Sequence, residues 1–116
     1  MGVDLTLLPL ISEDFWAAHD ALRLERRREL WDKIGALPQQ PIPKPLSCYL
    51  AQLPNGESGY GNRTEDPYGS TLAYTTAGAL AALADDEAVT DNWLNKSVWS
   101  YLAQMPPDWP VVLYWH

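Results

Sequence analysis

The residue types most able to perform nucleophilic or metal chemistry are rare in this chain: His19, Cys48 and His116. A cysteine thiolate paired with a histidine base could act as a nucleophile, with Asp20 assisting. No local motif supports such a pair, and no cluster of histidines or carboxylates has the spacing that a metal ion needs. The sequence therefore predicts that the protein is not an enzyme and that it uses neither a cofactor nor a metal ion.

Residues 54–71 form the longest stretch without a helix or strand pattern, and they contain four of the seven glycines. Residues 56–61 have the composition of a phosphate-binding loop, but Glu57 would repel phosphate and the Lys-Ser/Thr ending is missing. A loop of this length is usually functional or disordered. Its side chains best suited to contacting a partner are Tyr60, Arg63, Glu65, Asp66 and Tyr68.

A second candidate surface combines acidic and aromatic residues. Three consecutive acids form a turn between two predicted helices, and two tryptophans lie off the apolar stripe of the last helix, on opposite flanks. Each tryptophan is either covered by another element or exposed as an anchor for a partner. The acids either assist binding to a basic partner or keep the protein soluble. The predicted partner-binding residues here are Asp85, Asp86, Glu87, Trp93 and Trp99.

The sequence predicts several strands that would position these residues. Residues 111–115 are apolar on both alternating faces and follow three prolines, which is typical of a strand covered on both sides. Residues 3–10 alternate as a half-buried strand. Residues 12–19 are ambiguous, and residues 21–25 predict a second strand, although one long helix over 13–36 is an alternative. Further short strands are predicted at 47–53 and 72–74.

Three helices are predicted from apolar residues at helical spacing. The first covers 26–37 and begins with three arginines, which oppose the helix dipole. The second is alanine-rich and starts at Thr75 or Thr76. The third covers roughly 92–105, and its apolar stripe consists of Leu94, Val98, Tyr101, Leu102 and Met105. The first helix is followed by a proline-rich extended connector. Together these patterns predict one α+β domain over 1–116: a mainly antiparallel sheet, about three helices on one face, and the C-terminal strand central.

Composition narrows the class of partner. The 116 residues include six tryptophans and six tyrosines but one phenylalanine, and the net charge is −7. Only Arg63 and Lys96 are basic after residue 50, so we expect no direct nucleic-acid partner. A lone cysteine excludes a disulfide framework. No stretch reads as a signal peptide or a membrane span, so we expect a cytoplasmic protein and no membrane partner.

Three stretches of the chain carry a family resemblance: M-G-V-D-L-T-L-L-P, E-S-G-Y-G-N-R-T-E-D-P-Y-G-S-T-L-A-Y and W-S-Y-L-A-Q-M-P-P-D-W-P-V-V-L-Y-W-H. Together they resemble a family of small proteins encoded by phages and prophages of Gram-negative bacteria. The resemblance implies a genomic context and carries over no catalytic residues. Small acidic accessory proteins of phages often bind and block a host machine, such as a CRISPR effector or another defence complex.

We therefore expect an accessory protein that binds and modulates a host protein, as an anti-defence inhibitor, through an acidic and aromatic surface. One alternative is a small-molecule-binding protein or enzyme that uses the 54–71 loop. Another is a homo-oligomeric structural component of the phage, held together by exposed tryptophans. A pocket under the loop would favour the first alternative, and a large symmetric self-interface would favour the second.

Overall fold

A computed structural model describes residues 4–10, 16–18, 20–50 and 59–116. The main sheet has five strands, and each is antiparallel to its neighbours. Pro110–Trp115 (β8) lies at its centre, with five residues paired to one neighbour and four to the other. In spatial order the strands are β3 (Leu22–Arg23), β1 (Leu5–Pro9), β8, β7 (Ala73–Thr76) and β4 (Gln40–Pro41).

A second, smaller sheet contains β2 (Ala17–Ala18), β5 (Leu46–Leu50) and β6 (Gly59–Arg63). β5 is parallel to β2 and antiparallel to β6. The helices of the described residues are α1 (Arg28–Gly35), α2 (Ala77–Ala81), α3 (Glu87–Thr90) and α4 (Trp93–Leu102). The predicted α+β class, the mainly antiparallel sheet and the central C-terminal strand are confirmed.

The main sheet separates two apolar cores, because successive side chains of a strand point to opposite faces. Leu7 of β1 and Leu113 of β8 pack with residues of all four helices. Leu8 of β1 and Val112 of β8 pack instead with Leu46 and other residues of the smaller sheet. The helices thus cover one face, as predicted, and the small sheet covers the other. β1 is consequently buried on both faces, and the prediction of a half-buried strand was wrong.

The first helix begins later than its arginine run predicts. α1 starts at Arg28 with Arg27 as its N-cap residue, and Arg26 lies before the helix, where its guanidinium binds Asp4 at 3.0 Å. The three arginines therefore do not share the first turn. The alternative of one helix over 13–36 is excluded, because residues 17–18 and 22–23 are strands. Residues 11–15 and 19, which include much of the ambiguous 12–19 stretch, lie outside the described residues.

Two predicted irregular segments contain strands. Residues 59–63 of the supposed 54–71 loop form β6, because Tyr60 and its neighbours pair with the adjacent β5. Residues 40–41 of the proline-rich connector form β4 at a sheet edge, where a proline costs no ladder hydrogen bond. The second and third predicted helices correspond to α2 and α4, and both are shorter than expected. A further helix that was not predicted, α3, lies between them in the chain.

Candidate protein-binding surface

The N-terminus of α4 is held firmly by two asparagines. Asn92 caps it: its side-chain oxygen accepts the backbone N–H groups of Leu94 at 3.0 Å and Asn95 at 3.1 Å. Asn95 is fully buried. Its Oδ1 accepts the N–H of Glu25 at 2.7 Å, and its Nδ2 donates to the carbonyl oxygens of Glu25 at 3.3 Å and Ala88 at 3.0 Å. α4 is thereby anchored both to α3 and to the chain that precedes α1.

The buried face of α4 consists of Asn95, Val98, Trp99 and Leu102. Trp93 lies on the opposite side, since residues of a helix are spaced by 3.6 per turn. It is 77% exposed, more than the other exposed large apolar residues of the described chain. Ser97 and Ser100 are exposed beside it and are too small to cover the indole. Trp93 is therefore the most exposed large apolar side chain of the described residues, and it lies on the outward-facing side of a helix whose N-terminus is capped.

Trp99, the other tryptophan predicted to contact a partner, is 4% exposed. Its indole N–H donates to the carbonyl oxygen of Leu80, in α2, at 2.8 Å. The ring belongs to the core between the helices and the main sheet. Packing between α2 and α4 thus removes Trp99 from the candidate surface and leaves Trp93 on it.

Tyr101 also differs from its predicted place. The sequence pattern assigned it to the apolar stripe, but it is exposed and its hydroxyl donates to the Asp20 carboxylate at 2.8 Å. Partial burial of the phenol group, followed by the hydrogen bond to the Asp20 carboxylate, raises the pKa of Tyr101. Tyr101 lies two turns from Trp93 on the same side of α4, with Ser97 between them. The two aromatic residues define one face of the helix.

The residues of the acidic turn, 85–87, differ in exposure and in their contacts. Asp85 and Glu87 are exposed, as is Asp91 at the C-terminal end of α3. Asp86 instead accepts the backbone N–H of Ala88 and binds the ammonium group of Lys33. The lysine is the main cause of the lowered pKa of Asp86, and the Ala88 hydrogen bond adds to it. Asp86 is therefore a structural residue, and the prediction that it contacts a partner loses its support.

The residues from the 54–71 segment lie elsewhere, in and after β6. The guanidinium of Arg63 lies 5.8 Å from the centre of the Tyr114 ring. Asp66 closes a turn by accepting the N–H groups of Tyr68 at 2.9 Å and Ser70 at 3.0 Å. Arg63 and Asp66 thus have structural contacts of their own. Tyr68 is 59% exposed.

Two further residues of that segment complete the predicted set. Glu65 is exposed and lies opposite Thr71 in an isolated bridge. Tyr60 belongs to β6, and its side chain is outside the described part of the structure. Residues 51–58, which include Glu57 and the first half of the glycine-rich stretch 56–61, are outside it as well.

The candidate nucleophile, Cys48, lies in the interior of the fold. Cys48 is 1% exposed within the core under the small sheet, and burial raises the pKa of its thiol. The Nε2 atom of His116 lies 2.8 Å from the hydroxyl oxygen of Thr6, and its ring lies against Tyr114. His19 lies outside the described residues. Across the parts of the chain that the structure describes, no group of His, Cys, Asp or Glu residues could hold a metal ion.

Sequence reasoning missed the residues that orient this surface. Asn95 sits at a buried helical position, and a polar residue within an apolar repeat could have indicated its bridging role. Lys33 follows Glu29 by four residues, a spacing that favours an ion pair within one helix, yet it binds Asp86, which is distant in sequence. No local pattern indicates that contact, because it depends on how α1 packs beside α3.

Among the helices of the described residues, none has the length and apolar character needed to cross a membrane. Comparison with protein-family models, curated protein sequences and solved structures finds no match to this chain.

Proposed function

We propose that this chain is a non-catalytic accessory protein encoded by a phage or prophage, which binds and inhibits a host protein in the host cytoplasm. The resemblance of the three quoted sequence stretches to phage and prophage proteins supplies the context. Inhibition of a defence complex, such as a CRISPR effector, is the activity that this context favours.

The observation that carries the proposal is the exposure of Trp93. Burying an aromatic side chain of this size removes a large apolar area from water, and tryptophan is enriched among residues that dominate binding energy. At 77% exposure, Trp93 gives up most of that stabilisation in the free protein. A partner that covers the ring would recover it. The exposed Tyr101 extends the same surface along α4.

The alternative of a ligand site in the 54–71 segment has weaker support. Part of that segment is the strand β6, and Arg63 and Asp66 already contact Tyr114 and the following turn. Self-association through exposed tryptophans also has weaker support, since Trp99 is covered and the chain carries a net charge of −7. Like charges on two copies would repel each other at close approach.

The proposal can be tested by expressing the chain in a Gram-negative host with active CRISPR immunity and infecting it with a phage that this immunity targets. We expect the plating efficiency to rise relative to cells that carry the empty vector. A matched control is Val112→Asp, which places a charge at a fully buried position and should prevent folding.

The same cells allow a direct search for the partner. The affinity-tagged chain is recovered from them, and co-purifying proteins are quantified by mass spectrometry against the Val112→Asp control. We expect a host protein to be enriched by the wild-type chain only. An unchanged plating efficiency together with no enriched host protein, in hosts with several defence systems, contradicts the proposed function.

A further inference from the structure

The solvent-facing side of α4 is unlike an ordinary polar helix surface. Its exposed positions are Trp93, Lys96, Ser97, Ser100 and Tyr101. A single exposed apolar residue needs no explanation, but serine and tyrosine are enriched in antibody binding surfaces, where tryptophan often supplies the dominant contacts. Small serines expose the aromatic rings, and the rings supply the contact area.

This surface is also held in a fixed geometry before any partner arrives. The Asn92 cap and the buried Asn95 bonds fix the first turn of α4, on which Trp93 lies. Trp99 ties the middle of the helix to α2. Binding to a rigid helix face costs little conformational entropy. Trp93 is thus a preorganised anchor and not part of a segment that must fold on binding.

The exposed charges that precede Trp93 in the chain indicate which class of partner fits this surface. Asp85, Glu87 and Asp91 precede Trp93 within one continuous stretch and are exposed, while Lys33 neutralises Asp86. Lys96 is the single basic residue on the exposed face of α4. Nucleic acid would be repelled by this arrangement, and a second copy would bring like charges together. A protein surface rich in lysine and arginine is complementary to it.

Resting on the proposed function, we propose that the outer face of α4 is the docking surface for a basic protein partner. Trp93 inserts into an apolar pocket of that partner, and lysine or arginine side chains at the rim of the pocket pair with Glu87 and Asp91. The indole supplies most of the affinity, and the acidic residues mainly raise the association rate.

Site-specific photo-crosslinking in host cells tests where the partner lies. Ser97, on the outer face of α4, is replaced by the photo-reactive amino acid p-benzoyl-L-phenylalanine, and Ser70, in the turn after β6, is replaced in a separate matched chain. We expect the position 97 chain to crosslink to a host protein with a basic surface and the position 70 chain to remain without that product. Adding Trp93→Ala to the position 97 chain should remove the crosslink.

Surface plasmon resonance with the purified crosslinked protein then separates the anchor from the charges. We expect Trp93→Ala to weaken binding by at least about 30-fold, as truncation of a dominant interface residue does. The triple variant Asp85→Asn, Glu87→Gln and Asp91→Asn should slow association several-fold, and added salt should slow the wild-type chain in the same way. Thr64→Ala, at an exposed position after β6 that neither predicted set of contact residues contains, is the matched control and should bind as the wild-type chain does.

Different failures have different meanings. Enrichment of a host protein that crosslinks at position 70 but not at position 97, or that binds Trp93→Ala normally, overturns the docking surface and leaves the proposed function standing. A crosslink at position 97 to a second copy of the chain or to nucleic acid also overturns it. No enriched host protein and no change in plating efficiency would instead count against the proposed function. Each variant is first compared with the wild-type chain by thermal unfolding, so that loss of binding is not loss of fold.

Discussion

Lys33 of α1 and Asp86, the N-cap residue of α3, form an ion pair between two helices that pack on the same face of the main sheet. The second carboxylate oxygen of Asp86 accepts the N–H of Ala88 at 2.9 Å. One side chain therefore both starts α3 and joins it to α1. This double role separates Asp86 from its neighbours Asp85 and Glu87, which are exposed.

We expect Asp86→Ala to lower the free energy of unfolding by about 0.5–2 kcal/mol, the usual effect of losing an N-cap side chain. Asp85→Ala is the matched control, because that residue is the exposed neighbour, and it should change stability by less than about 0.5 kcal/mol. Urea unfolding followed by tryptophan fluorescence measures both. Equal effects of the two substitutions would show that the Asp86 contacts contribute little.

We expect Asn95→Ala to be more damaging, because it leaves the carbonyl oxygen of the buried Ala88 and the part-buried backbone N–H of Glu25 without their hydrogen-bond partner. Each unsatisfied buried group costs about 1–3 kcal/mol, so a total loss of about 3 kcal/mol is expected. Asn92→Ala, which removes only the cap, should cost about 1 kcal/mol. Urea unfolding measures both variants. If Asn95→Ala is as stable as Asn92→Ala, or more stable, the Asn95 hydrogen bonds between α3 and α4 are not a main stabilising contact.

His116 should make stability depend on pH just below neutrality. Burial lowers its pKa, Arg23 adds to the lowering, and the nearby Asp4 opposes both. The ring also faces Thr6 and Tyr114. An unfolded histidine titrates near pH 6.5, so below that pH the unfolded chain binds the proton first and stability falls until the folded pKa is reached.

The pH effect of His116 can be isolated by comparing the wild-type chain with His116→Gln. The difference between their free energies of unfolding should decrease as the pH is lowered from about 7.5 to 5.5. Carboxylates that titrate in both proteins cancel in this difference. An NMR titration of the His116 ring gives the folded pKa directly. A folded pKa above 6.5 would contradict the prediction, because stability would then rise as the pH is lowered.

Cys48 should behave as a buried apolar residue. Its thiol is 1% exposed, and burial raises its pKa against the opposing charge of Arg63. We expect a thiol reagent such as DTNB to modify the folded chain more than about 100-fold more slowly than the chain in urea, because reaction requires opening of the core. A Cys48→Ala, Ser70→Cys chain, with its thiol in an exposed turn, is the control and should react quickly in both conditions.

Much of the fold follows from local sequence patterns. Residues 111–115 are apolar at every position, and a strand of that kind needs cover on both faces, as β8 has from the helices and the small sheet. The Thr76 cap of α2 was also predictable, because a threonine before an alanine run satisfies the first free N–H groups. The strand β6 was missed because glycines and Asn62 have low strand propensity, and pairing with β5 overrides it.

The sequence predicted the candidate contact residues of this site, but it did not distinguish those that are exposed from those that are covered or paired. Position and residue type alone placed both Trp93 and Trp99 off the apolar stripe of the last helix, and they placed Asp85 and Asp86 in the same turn. The tertiary structure decided between the members of each pair. The Leu80 carbonyl lies where it accepts the Trp99 indole N–H, and Lys33 lies where it binds Asp86. Both partners are remote in sequence, so the contacts depend on helix packing, which local periodicity does not encode.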